Sequence, residues 1–278
     1  MHTKEEVKRQ MTEAVRRVRA GNPMVGSVTN TVTIQFVANA QLAVGGSAAM
    51  VYLPEEGEFL AAAGGAAYIN VGTLLPVYAE TLPRTAAMLH RLGKPWVLDP
   101  VAVGIGEMRS SLLRQLQEYK PSIIRGNASE IIALAGLWGL DGGADCSNVR
   151  GVDSRDSVEM AKPAAAALAR HTNGAVAVSG KTDLITDGKI AAYSYGGSHF
   201  MERVTGCGCS LGGVAAVYAA AASPFIAALT ASAVYNLAGK RAESKAQGPG
   251  SFYTRFLDEL YIASPEEIAE NPFELERV

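Results

Sequence analysis

Cysteine is scarce in this chain: Cys146, Cys207 and Cys209 are the only three. An odd, unevenly spaced trio excludes a disulfide framework and lacks the four-ligand spacing of a zinc site, and a reducing cytoplasm suits it best. Basic charge is missing as well. The 25 Lys and Arg are scattered, and 27 Asp and Glu bring the formal net charge to −2. No positive field is therefore offered to nucleic acid or to an anionic membrane. The stretch Met1 to Ala20 is charged throughout and holds no apolar signal core. No run of about 18 uninterrupted apolar residues lies outside the glycine-broken stretch near Val214, so no membrane span is expected. Pro/Ser-rich linkers, internal repeats and low-complexity segments are lacking too, which leaves residues 1–278 as one domain.

What is present is ample core material, 48% hydrophobic, in a recurring order. Short apolar runs at 24–28, 48–53, 66–71, 96–98, 122–124 and 175–179 read as strands. A hairpin is expected from 183–186 and 189–193 around Asp187-Gly188. Between them, helical spacing appears at 5–19, 35–44, from Pro54 onward, and at 77–92, 112–119, 129–135 and 154–171. Residues 137–153 read as loop. Three helices, 209–222, 225–243 and 251–262, are expected to close the chain. Strands alternating with helices predict an α/β fold, a mostly parallel sheet covered on both faces.

The stretch Val204-Thr205-Gly206-Cys207-Gly208-Cys209-Ser210 stands out. Gly206 and Gly208 allow a sharp turn and close approach of a ligand. A turn entering the alanine-rich helix leaves N–H groups converging on one spot, which favours an anion. Cys209 falls in the first helical turn, where a thiol pKa tends to be lowered. The same cysteine is as readily a small apolar filler, and the stretch alone leaves both readings open.

Several predicted strands end in polar or glycine-bearing turns: Thr29-Asn30, Gly72-Thr73, Asp99-Pro100, Arg125-Gly126-Asn127 and Ser179-Gly180-Lys181. In a parallel sheet these ends share one edge, where ligands bind. Asp99 is suited to Mg²⁺ or to capping the next turn. Arg125 offers a fork for phosphate oxygens, or a surface ion pair. Asn127 and Glu130, three apart at a helix start, fit a hydrated Mg²⁺ or a capping box, and the two are compatible. Lys181 reads as a solvated loop residue, and His90, His171 and His199 lack metal spacing.

Taken in order, these pieces resemble the hydroxyethylthiazole kinase family of the ribokinase-like superfamily. The matching segments are Val28-Thr29-Asn30, Ala38-Asn39, Leu42 to Ser47, Met50, Asn70 to Leu74, Leu98 to Val101, Arg125 to Glu130, Gly151 to Ser154, Ser179 to Lys181 and Val204 to Cys209, over roughly residues 22–240. The resemblance implies a three-layer sandwich that phosphorylates 4-methyl-5-(2-hydroxyethyl)thiazole with ATP and Mg²⁺ for thiamin salvage. It implies that Met50, Asn30 and Gly206 contact the thiazole alcohol. Arg125, Ser179 and Asn127 would serve ATP, and Asp99 and Glu130 the metal. The N–H groups of Gly206 to Cys209, Gly208 among them, would form an anion hole, with Cys209 as base. It further implies a homotrimer with the thiazole pocket between subunits. Gly26-Ser27 stand where the family usually has a bulkier pair, and Ala48-Ala49 where Ser-Pro is usual. Other small-alcohol kinases, a hydrate dehydratase and a non-catalytic thiazole or nucleotide binder are the alternatives.

Overall fold

A computed structural model describes residues 3–144 and 158–278. Cys146, the Gly151-Val152-Asp153-Ser154 segment and the start of the helix expected at 154–171 lie outside the described residues. Helix α1 (Lys4–Gly21) begins at Thr3, whose hydroxyl accepts the Glu6 N–H. Its stripe of Val7, Met11, Val15 and Val18 is wholly buried, as their helical spacing requires.

The chain then alternates as its apolar periodicity predicts. In order come β1 (Met24–Val28), α2 (Ile34–Ala43), β2 (Ser47–Met50), α3 (Pro54–Ala63), β3 (Ala66–Asn70) and α4 (Tyr78–Leu92). Next are β4 (Trp96–Asp99), α5 (Glu107–Leu116), β5 (Ile123–Asn127), α6 (Ala128–Leu137), α7 (Val158–Thr172) and β6 (Ala175–Ser179). The hairpin strands are β7 (Asp183–Thr186) and β8 (Ile190–Ser194). The chain continues through α8 (Cys207–Ala219), α9 (Pro224–Glu243), α10 (Pro249–Ile262), α11 (Pro265–Ala269) and β9 (Phe273–Arg277).

These strands form one nine-stranded sheet among the described residues, ordered β2-β1-β3-β4-β5-β6-β7-β8-β9. Pairings from β2 to β6 are parallel and those from β6 to β9 antiparallel. Alternation along β3 shows how the layers arise. Tyr68 packs into a core under α1, α2, α8, α9 and α10, while Ala67 and Ile69 enter a second core under α4, α5, α6 and α7. The ribokinase-like expectation of a three-layer α/β sandwich holds.

Four local expectations are corrected. The chain does not close on three helices: α11 and β9 follow, the latter pairing with β8. β9 is the charged edge strand Phe-Glu-Leu-Glu-Arg, so it shows no apolar run. β5 continues through Arg125 to Asn127, and Arg125 is a buried strand residue. Helix α5 spans Glu107–Leu116, five residues earlier than the apolar spacing alone suggests, because Gly106 at a positive φ starts it. Helix α8 opens two residues earlier, at Cys207, with Gly206 at φ +98° as its N-cap. Among the described residues no helix is long and apolar enough to cross a membrane.

Candidate active site

The parallel strands deliver their C-terminal residues to one edge in register. Asn70 at the end of β3 lies opposite Asp99 at the end of β4, and Asn127 opposite Ser179. Helix α8 crosses this edge very closely. A Cβ on Gly212 would lie 2.5 Å from the Tyr68 ring, and one on Gly208 would lie 2.8 Å from both terminal nitrogens of Arg125. The glycines therefore allow the N-terminus of α8 to sit on the Arg125 guanidinium.

Asp99 is fully buried. Its Oδ2 accepts from the Tyr68 hydroxyl (2.9 Å) and from Asn70 Nδ2 (3.1 Å), and stands 3.6 Å from Arg125 Nη1. Arg125 Nη2 donates to Ser179 Oγ at 2.9 Å. Two buried atoms here have no hydrogen-bond partner among the described residues: Asp99 Oδ1 and Arg125 Nε. Buried polar atoms are nearly always paired, so this pair marks a place built for something else. Burial pushes the Asp99 carboxyl up and Glu130 adds to that, against the pull of Arg125. Burial would lower Arg125, but the charges of Asp99 and Glu130 outweigh it and hold the guanidinium above its ordinary value.

Asn127 caps α6, its Oδ1 accepting the Glu130 N–H while Glu130 Oε2 accepts the Asn127 N–H. The capping box foreseen from the sequence is therefore formed. Glu130 Oε1 also accepts the Ala102 N–H at 3.3 Å, tying α6 to the loop after Asp99. Ala102 holds φ +59°, a left-handed conformation that is strained for alanine.

Cys209 is half-buried. Its Sγ accepts from Asn30 Nδ2 at 3.4 Å. The expected lowering of the thiol pKa at the helix start is overturned. Burial and then the Asp99 charge push it up, and Arg125 and the Asn30 hydrogen bond offset this only in part. The expected fan of N–H groups is also narrower. The Cys207 N–H is bonded to Val204 O at 3.4 Å, which leaves Gly208 and Cys209 in the first turn without intrahelical acceptors. Cys207 is buried, its thiol pushed up to about 12 chiefly by burial.

Asp99, Arg125, Ser179, Gly208, Cys209 and Asn30 are thus joined in one network, and Asn127 and Glu130 border it through the loop after Asp99. Gly206 packs against Thr33, next to Asn30. Met50 is placed elsewhere. It ends the edge strand β2 and lines a groove of about 420 Å³ with Glu55, Glu56, Phe59 and Leu60. Lys181 is exposed, as read from the sequence.

Sequence reasoning missed four contributors. Tyr68 and Asn70 surround Asp99. Arg109 donates to the carbonyls of Val71, Gly72 and Ile105, clamping the loops after β3 and β4. Buried Asp183 accepts from the Gly180 N–H and from Asn236 Nδ2, each at 3.1 Å, and so shapes the turn after Ser179. Only Asn70 carried a signal, a polar residue ending an apolar strand.

A family model described as "HK: Hydroxyethylthiazole kinase family" matches residues 15–266. A hydroxyethylthiazole kinase of Bifidobacterium longum (strain DJO10A) is 49% identical, the match covering 95% of this chain and 90% of that protein. The solved structure of a hydroxyethylthiazole kinase from Pyrococcus horikoshii OT3 superposes with a TM-score of 0.85 at 31% identity, over 96% of this chain and 98% of that one. A ribokinase-like superfamily protein from Enterococcus faecalis V583 shares the fold, with a TM-score of 0.60 at 14% identity over 87% and 88% of the two chains.

Proposed function

The chain belongs to the hydroxyethylthiazole kinase family, and from that premise we infer that it moves the γ-phosphoryl group of ATP onto the hydroxyl of 4-methyl-5-(2-hydroxyethyl)thiazole, feeding thiamin synthesis. The observation that carries the site assignment is the pair of unpartnered buried atoms, Asp99 Oδ1 and Arg125 Nε, under the N-terminus of α8.

Phosphoryl transfer asks the protein mainly for positioning and charge neutralisation. Arg125, oriented by Ser179, holds phosphate oxygens through its free Nε. The Gly208 and Cys209 N–H groups receive the charge that builds on the moving phosphoryl group. Asp99 Oδ1 is a free acceptor fitted to a hydrated Mg²⁺, and Glu130, whose oxygens already accept two N–H groups, supports it from the next loop. When bound, the ion supplies neutralisation of the phosphate charge. Asn127 borders the nucleotide side as the cap that holds Glu130. The hydroxyl oxygen forms its bond to phosphorus as the bond to the ADP oxygen breaks, and its proton passes to the Cys209 sulfur. With the thiol pushed up, little thiolate stands ready at neutral pH, so the base contributes modestly.

Met50 serves the thiazole from a neighbouring subunit in a homotrimer. Support comes from the outer edge of β2, unpaired among the described residues, and from the exposed apolar side chains of Leu53, just after β2, and Phe59, in the Met50 groove. Light scattering should give three times the chain mass, and Phe59→Glu should yield monomer with weakened thiazole binding; a wild-type monomer of full activity would end this assignment. One continuous sheet favours a single domain, and free Cys207 and Cys209 suit the cytoplasm.

The test is direct. Protein, Mg²⁺, ATP and the thiazole alcohol are incubated and the product is weighed by mass spectrometry, with hydroxymethylpyrimidine and a sugar alcohol in parallel. A thiazole phosphate is expected. A second small alcohol has one observation in its favour: Gly26 pairs with Ala49, and a Cβ at Gly26 would lie 3.0 Å from Leu60, which lines the Met50 groove. Preferential phosphorylation of another alcohol would reassign the substrate and leave the ATP chemistry intact.

A further inference from the structure

A directional chain of hydrogen bonds runs from Asp99 to Cys209 through two asparagines, neither of which has a side chain open to solvent. Asn70 is 0% exposed and Asn30 5%. The direction of the chain is forced at each link. Asp99 Oδ2 also accepts a hydrogen bond from the Tyr68 hydroxyl and faces Arg125, so it acts as an acceptor, and Asn70 must turn its Nδ2 toward it (3.1 Å). Asn70 Oδ1 then points the other way, where it accepts the Gly72 N–H (2.9 Å) and Asn30 Nδ2 (3.1 Å). Asn30 is in turn locked. Its Oδ1 accepts both the Thr33 N–H and the Thr33 hydroxyl at 3.1 Å, so its amide cannot be reversed without setting oxygen against oxygen and N–H against N–H. The remaining N–H of Asn30 Nδ2 has one place to go, the Cys209 sulfur at 3.4 Å.

We propose that Asn70 is a positioning residue for Cys209: Thr33 sets the polarity of Asn30, and Asn70 Oδ1, by engaging one N–H of Asn30 Nδ2, aims the other at the sulfur and so holds it as a hydrogen-bond acceptor turned toward the hydroxyl that is phosphorylated. This rests on the reading of Cys209 as the group that takes the hydroxyl proton. An N–H donated to sulfur favours the charged thiolate over the neutral thiol, so the amide chain assists the base in the step where it gains a proton.

A double-mutant cycle separates this role from a structural one. Turnover is measured with saturating Mg²⁺, ATP and thiazole alcohol for wild type, Asn70→Ala, Cys209→Ala and the double variant, each first shown to be folded by its thermal melt. Asn70→Ala is expected to lower kcat about tenfold with KM for ATP held within about twofold, and to add less than about twofold once Cys209 is Ala. An effect of Asn70→Ala that multiplies in full in the Cys209→Ala background acts through Asp99 alone and overturns the proposal. So does an unchanged kcat in Asn70→Ala. If Asn70→Ala melts below the assay temperature, Asn70→Ser and Asn30→Ser replace it in the same cycle with the same expectation. If Cys209→Ala itself leaves kcat unchanged, the base reading falls first, which is a distinct result.

Discussion

At the scale of the residue, two positions are set against their own preferences. Cys209 sits where a helix start would help a thiolate, yet burial and the Asp99 charge hold its pKa up. A carboxylate there would be the stronger proton acceptor. Cys209→Asp should retain or raise kcat, while Cys209→Ala should lower it by about tenfold without loss of ATP binding; steady-state rates and nucleotide titration check both. Ala102 is held at φ +59° between Asp99 and Glu130. Ala102→Gly should relieve that conformation and stabilise the protein by up to about 1 kcal/mol, less the added freedom of glycine in the unfolded chain. A lower melting temperature for the variant would contradict this. Much of the candidate site was legible here, because Asp99, Arg125 and Asn127 are charged or polar residues ending apolar strands and Glu130 follows three residues on in the helix start. Tyr68 and Asp183 were not, since each becomes meaningful only through a partner on another strand or helix.

At the scale of the element, α8 is the part that assembles the site, and its glycines divide into two kinds of contact. Gly212 faces the Tyr68 ring and Gly208 the Arg125 guanidinium. Gly212→Ala forces a methyl group into a rigid ring, so it should destabilise by about 1–3 kcal/mol, read by denaturant unfolding. Gly208→Ala displaces the end of a side chain, so it should chiefly raise KM for ATP and lower kcat. Equal stability losses with unchanged kinetics would contradict the division. The periodic elements were readable because apolar spacing declares them. The start of α5 and the edge strand β9 were hidden, since a glycine at positive φ and an alternating charged strand both resemble loop.

At the scale of the whole molecule, the site is assembled at the cost of burying carboxylates. Asp183 is the clearest case: burial pushes it up to about 6, partly offset by the Gly180 N–H and the Asn236 amide. Its unfolded value is about 3.9. The raised folded value means that Asp183 contributes most below about pH 4 and that this contribution is lost as pH rises through about 6. The stability of Asp183→Asn relative to wild type should therefore improve by about 1–3 kcal/mol between pH 4 and pH 7, whatever fixed loss the missing Gly180 contact brings. A difference that stays flat with pH would show that Asp183 titrates normally. The α/β sandwich itself followed from strand and helix alternation, whereas the pairing of β2 as an outer edge is a matter of topology that no local pattern encodes. The central claim is that phosphate settles between Arg125 and the start of α8, beside Cys209. A crystal structure with the thiazole alcohol and a non-hydrolysable ATP analogue tests it most directly. The terminal phosphate should lie within hydrogen-bond distance of the Gly208 and Cys209 N–H groups and of Arg125, with the hydroxyl against the Cys209 sulfur. Phosphates bound away from Arg125, or a sulfur packed off from the hydroxyl, would contradict it.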